Sequence, residues 1–287
     1  MAALSPEAVA ATVREACRLE VQALKPGNVS VHAGGHRMDA EDFFRSAEAI
    51  AGVISLPGLT VGERILRSVE ATFAAVGCNT NLGIVLLLAP LAHAVLEGDE
   101  PPGLRDRLRR VMRALTVGDA DAAYRAIRLA NPAGLGSSAT QDVADVPTVT
   151  LLEAMRAAAQ RDRIASQYVT DYADIFALGM PAVSAAAARG WGPQWTAVAC
   201  YLRFASEFPD SHVLRKHGPE AAEAVRARFQ AVETHMKACD NPDTAVPILL
   251  ELDKNLKQEG INPGTSADLT VTSLAACRFD ALLEKTS

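Results

Sequence analysis

Hydrophobic residues recur at spacings of three and four along most of this chain. Val9, Val13, Cys17, Val21 and Leu24 follow Ser5-Pro6-Glu7, a capping residue with proline at the first helical position, which predicts an amphipathic helix ending before Pro26. Asp39 and Asp42 stand in capping-box spacing ahead of Phe43, Phe44, Ala47 and Ile50. Thr60 and Glu63 open a further helix in the same way, and Gly77 closes it. The same period predicts helices over roughly 82–97, 102–116, 119–130, 148–178, 193–207, 219–238, 243–258 and 266–283. No segment alternates with the period of two that a half-buried strand needs, and an Ala-rich chain with 5% aromatic residues favours helix over sheet. The expected fold is all-α, one bundle of about ten helices forming a single domain over 1–287.

Composition narrows the partners. With 287 residues, 49% of them hydrophobic, the chain can bury a full core. A net charge of -6 gives no general attraction to nucleic acid or to an anionic membrane, so small-molecule substrates are expected, with phosphate held by a local basic cluster. Five scattered cysteines without a CxxC predict reduced thiols in the cytoplasm. The N-terminus lacks a signal-peptide pattern. The apolar run Ile84 to Leu96 is too short to span a bilayer and reads as a buried helix. His32 and His36 are four apart in a loop without a third ligand, and His93 falls in an apolar helix, so no zinc site is expected. A homodimer is the default for an enzyme of this size.

The string NPAGLGSSAT, residues 131–140, could aim backbone N–H groups and hydroxyls at one anion, as the glycine-serine loop of GHMP-type small-molecule kinases does. Those kinases place a β-rich half before that loop, whereas everything before residue 131 here reads helical. A phosphotransferase therefore stays an alternative. The string is better read as a loop near a nucleotide, carrying Asp142 and Asp145. In a helical turn those two would share a face and could hold Mg²⁺.

Four polar, glycine-bearing loops interrupt the helices: Lys25 to Asn28 with Gly34 to Asp39; Gly77 to Gly83; Asp210 to Gly218; and Asn262 to Asp268. KPGNV followed by GGHRMD, then CNTNLG and NPGTSADL, with LLEAM, RDRIASQY and DSHVLRKHG in support, resemble the triphosphoribosyl-dephospho-CoA synthase family from about Glu20 to about Leu274. The resemblance implies an all-helical enzyme that transfers the triphosphoribosyl part of ATP to the 2′-hydroxyl of 3′-dephospho-CoA and releases adenine. Where the family has Asn-Thr-His-Lys-Gly, this chain has Asn79-Thr80-Asn81-Leu82-Gly83, without the histidine and lysine. Such differences look like a shorter branch of the family found in organisms with tetrahydromethanopterin-type one-carbon cofactors, whose acceptor need not be dephospho-CoA.

That chemistry passes through an oxocarbenium-like transition state. It needs a carboxylate base, a donor for the departing purine, and Mg²⁺ with basic groups around the triphosphate. The candidates for base or metal chemistry are Glu20, Asp39, Asp142 and Asp145, the last two as metal ligands. For substrate they are Lys25, Asn28, His36, Asn79, Thr80, Asn81, Gly83, Asp210, His212, Arg215, Lys216, Asn262, Ser266 and Asp268. Several have an ordinary structural explanation as well: an N-cap for Asp39 and Ser266, a first-turn acid suiting the helix dipole for Asp268, a pairing with Lys25 for Glu20, a surface turn for Pro26-Gly27, and an acidic loop before Pro147 for Asp142 and Asp145. Gly83 in a first helical turn costs stability unless something approaches it closely. A non-catalytic nucleotide-binding protein is the third reading.

Overall fold

The computed structural model describes residues 3–31, 39–97, 103–132 and 141–285. Among the described residues there is no strand, so the fold is all-α, and fourteen α-helices replace the ten expected. They are α1 (Pro6–Gln22), α2 (Ala40–Ile54), α3 (Val61–Val76), α4 (Leu82–Leu96) and α5 (Leu104–Ala114). There follow α6 (Val117–Ala130), α7 (Leu151–Ala158), α8 (Arg163–Val169), α9 (Met180–Ala188) and α10 (Pro193–Glu207). The chain ends in α11 (Ser211–His217), α12 (Pro219–Ala238), α13 (Val246–Gln258) and α14 (Gly264–Lys285).

The larger count has local causes. The single helix expected over 148–178 breaks where Asp162 caps the N-terminus of α8, and again where Asp171 and Tyr172 take positive φ of 51° and 56°. A short π-helical segment, Ile175–Gly179, then leads into α9. Gly179 has Ser273 Oγ 2.0 Å from the place a Cβ would occupy, so only glycine fits against α14 there. The loop expected at 210–218 instead contains α11, capped by the Asp210 side chain on the N–H groups of His212 and Val213. By contrast, the capping boxes at Asp39/Asp42 and Thr60/Glu63 form as the spacing predicts, and Gly77 closes α3 in the left-handed conformation.

Two central helices position everything else. α4 is apolar on all sides and buries twelve of its fifteen residues, contacting α1, α2, α3, α5, α6, α8 and α14. α14 packs against α1, α4, α10 and α11, and its buried Thr270, Thr272 and Ser273 hydroxyls donate back to carbonyls four residues earlier. Pro90 sits inside α4 and has no N–H for the carbonyl of Leu86. The Tyr168 hydroxyl donates to that carbonyl at 2.6 Å, and the Tyr172 hydroxyl donates to Leu87 O at 2.9 Å. The proline thus gives α8 a polar anchor on an otherwise apolar helix. No helix among the described residues is long and apolar enough to cross a membrane.

Candidate active site

A cavity of about 640 Å³ opens where the N-terminal ends of α4, α8, α11 and α14 meet the C-terminal end of α1. That volume suits a ligand of nucleotide size. Glu20, Asn28, Asn79, Thr80, Asn81, Gly83, His212, Arg215, Lys216, Asn262 and Asp268, all expected from the sequence, line it.

The first wall grows from α1 and the loop after it. Glu20 is 3% exposed, and the fully buried Lys25 ammonium donates to its carboxylate. Lys25 also donates to Asn28 Oδ1 at 2.6 Å and to Val29 O at 2.9 Å, so its three protons are all used within the protein. It does not line the cavity; it fixes Glu20 and Asn28, which do. Gly27 makes this turn possible with φ +81°, donating its N–H to Asp253 on α13 at 2.8 Å. Asn28 Nδ2 then donates to Asn262 Oδ1 at 2.8 Å and ties the loop to the start of α14. Burial pushes the Glu20 carboxyl above its ordinary range, with Lys25 opposing in part. Burial likewise pushes Lys25 down, with Glu20 opposing.

The second wall is the N-terminus of α4. Asn79 Oδ1 accepts from Leu82 N, Thr80 Oγ1 pairs with Ser46 Oγ on α2 at 2.6 Å, and Asn81 Oδ1 accepts from Thr72 on α3 at 3.0 Å. Gly83 answers to a close approach: Asp268 Oδ2 lies 2.0 Å from the place its Cβ would take, and Ile164 Cδ1 2.7 Å from it. Burial first, then the carboxylates of Glu20, Asp210 and Asp162, push Asp268 well above the usual carboxylate range, with Arg215 opposing.

The third wall is cationic. Arg161, His212, Arg215 and Lys216 line it. Arg215 donates to Asp162 Oδ2 at 2.6 Å, while Asp162 Oδ1 caps α8 through Ile164 and Ala165 N–H. Arg215 Nε and Asn81 Nδ2, both buried, have no hydrogen-bond partner among the described residues. Small and apolar side chains of α6 and α7, among them Ile127, Ala154, Met155 and Ala158, complete the enclosure.

Several expected residues lie elsewhere. Asp39 is exposed and serves as the N-cap of α2, accepting from Asp42 N at 3.1 Å; it does not reach the cavity. Asp210 and Ser266 are buried behind it and hold helices together. Asp210 Oδ1 caps α11 while Oδ2 accepts from both the N–H and hydroxyl of Ser266, at 2.7 and 2.8 Å. Ser266 is therefore not an N-cap, since α14 begins two residues earlier at Gly264. Asp142 and Asp145 sit in a turn, not a helix; Asp142 Oδ1 accepts from Ala144 N at 2.9 Å, and Asp145 is exposed. Their neighbours Gln141 and Val143 line the cavity, but they do not. Among the described residues no group of three or more His, Cys, Asp or Glu is placed to hold a metal ion. His36 and residues 133–140 of the glycine-serine string lie outside the described residues. Tyr124, whose hydroxyl donates to Gln141 O at 3.0 Å, lines the cavity without having been singled out. Nothing in its helical spacing distinguishes it from a core residue.

The comparisons agree with one another. The model of the ATP:dephospho-CoA triphosphoribosyl transferase family, CitG, matches residues 6–287. A search of the curated proteins finds no match. The fold is similar to the crystal structure of a provisionally named triphosphoribosyl-dephospho-CoA synthase from Archaeoglobus fulgidus, at 25% identity and a TM-score of 0.64, over 83% of this chain and 96% of that one. Three walls built from the family's motif segments, and a family match over nearly the whole length, lead to one conclusion: the chain is a pentosyltransferase that belongs to the ATP:dephospho-CoA triphosphoribosyl transferase family.

Proposed function

We propose that this enzyme transfers the triphosphoribosyl group of ATP to an alcohol, 3′-dephospho-CoA or a precursor of a tetrahydromethanopterin-type cofactor, and releases adenine. The observation that carries this reading is the meeting of two carboxyl groups, the buried Glu20 and the half-buried Asp268, with Arg161, Arg215 and Lys216 in one cavity. Glycosyl transfer needs acid–base groups at the reacting carbon and cations at the phosphates. The cationic wall takes the triphosphate, with Arg215 offering a planar fork and Lys216 a point charge. Asn79, Thr80 and Asn81 face the ribose or the acceptor. Glu20, which accepts a hydrogen bond from the Lys25 ammonium, accepts the proton of the acceptor hydroxyl.

Mg²⁺ fits this donor set only as a companion of the nucleotide. Magnesium is commonly held by one or two carboxylates plus substrate phosphates and waters, and the turn with Asp142 and Asp145 beside Gln141 is the part of the protein left for it. When bound, it would supply charge neutralisation at the triphosphate.

The test is chromatography of ATP incubated with Mg²⁺, enzyme and dephospho-CoA, or the small-molecule fraction of a cell extract. Free adenine with dephospho-CoA identifies the acceptor, and adenine only with extract directs the search to another alcohol. ADP in place of adenine, or ATP left untouched under every condition, overturns the proposal in favour of phosphotransfer or of binding alone.

A further inference from the structure

Three carboxyl groups line the base of the cavity and a fourth, Asp210, is buried behind it; three of the four are already engaged. Glu20 accepts from Lys25; Asp162 accepts from Arg215 and two N–H groups of α8; Asp210 accepts from His212, Val213 and Ser266. The carboxyl of Asp268 receives no hydrogen bond and no ion pair from any described residue. Its place is set by shape alone, in the hollow that Gly83 leaves on α4.

Resting on the transfer reading above, we infer that Asp268 is the general acid that protonates the departing purine, with Glu20 as its basic counterpart. In the step, the bond from C1′ of the ribose to N9 of adenine breaks and its electron pair goes to the ring. N7 of the purine takes the Asp268 proton, and adenine leaves neutral. The acceptor oxygen bonds to C1′ and its proton passes to Glu20. Transfer of that proton from Glu20 to Asp268 resets the pair without any outside reactant.

The surroundings divide the labour. From α1 Asp268 is faced by Glu20 and Cys17, from the loop after it by Lys25, from the α8 cap by Asp162, and from α11 and its cap by Arg215 and Asp210. Only Lys25 and Arg215 among these favour an anion, and each is already paired with another carboxylate, Lys25 with Glu20 and Arg215 with Asp162. Two carboxyl groups whose environments separate their proton affinities are the usual basis for acid and base roles in one site.

The experiment compares two donors, ATP and 7-methyl-ATP, whose purine is already cationic and leaves without a proton. Base release is followed with wild type and Asp268→Asn, using the acceptor found above. Asp268→Asn is expected to lower turnover of ATP by about a hundredfold or more, the usual worth of a general acid, and turnover of 7-methyl-ATP by less than about tenfold. Glu20→Gln should slow both donors alike. In wild type the turnover of ATP falls as pH rises through the Asp268 titration, and the variant lacks that limb; this limb decides if wild type does not accept the methylated donor. Should Asp268→Asn fail to fold, Gly83→Ala displaces the same carboxyl from the neighbouring helix and is expected to give the same donor dependence. Equal loss with both donors in a folded variant, or ATP turnover unchanged, overturns the assignment. Failure of wild type to release adenine at all strikes the transfer reading instead, a result that involves no variant.

Discussion

Lys25 is the residue whose role changed most between sequence and structure. In KPGN it reads as an exposed phosphate ligand, because glycine and proline mark a surface turn. The fold instead closes α10 and α13 over it: the Tyr201 hydroxyl donates to Pro26 O at 2.7 Å, and Asp253 holds Gly27. Glu20 raised the opposite question, since a glutamate beside an apolar stripe is oddly placed for solvent, and the pairing with Lys25 that the sequence offered as its ordinary explanation is the one that forms. Removing one member of a buried ion pair leaves the other charge uncompensated, which costs about 3–5 kcal/mol. Lys25→Met is therefore expected to lower the free energy of urea unfolding by about that amount, whereas replacing the half-exposed Arg14, paired with Glu48, should change it by less than about 1 kcal/mol.

At the scale of the element, helices announced by their own caps were legible, because a capping box involves residues three apart. Boundaries set by tertiary partners were not. The division of 148–178 depends on Tyr168 and Tyr172 reaching carbonyls beside Pro90, and on Gly179 meeting Ser273. These pairings join residues far apart in the chain and leave no mark in a window of eighteen. Pro90 lies within the apolar run 84–96, yet its consequence lay in α8. Tyr168→Phe leaves the Leu86 carbonyl buried and unpaired, at a cost of about 1–3 kcal/mol. Thermal unfolding should register that loss, and because α8 carries Ile164 and Asp162 to the cavity, the variant should also, under the proposed transfer, bind ATP more weakly. A melting temperature equal to wild type would show that the carbonyl finds another donor.

Across the whole molecule, the sequence supplied the parts of the site and not their meeting. Residues 25–28, 77–83, 210–218 and 262–268 were each recognisable as polar loops, and only the packing of α1, α4, α11 and α14 brings parts of them to one end of the bundle. Assembling carboxyl groups in that way has a price in stability, with a definite dependence on pH. Asp268 takes up its proton at higher pH in the folded protein than in the unfolded chain. Stability from this group is therefore complete below the unfolded carboxylate range, near about pH 4, and is lost as pH rises through the folded value. Asp268→Asn removes that loss. Its melting temperature should exceed that of wild type at neutral and alkaline pH, and the two should converge in acid. A variant less stable than wild type at pH 8 would show that the carboxyl is ionised and held by partners. The separation of Glu20 on α1 from Asp268 on α14 also bears on biosynthesis. A nascent chain on the ribosome carries Glu20 early, but it cannot confront a ribose with the second carboxyl until α14 has emerged and docked. Under the proposed transfer, chains that end before α14 are therefore expected to release no adenine, since they lack Asp268.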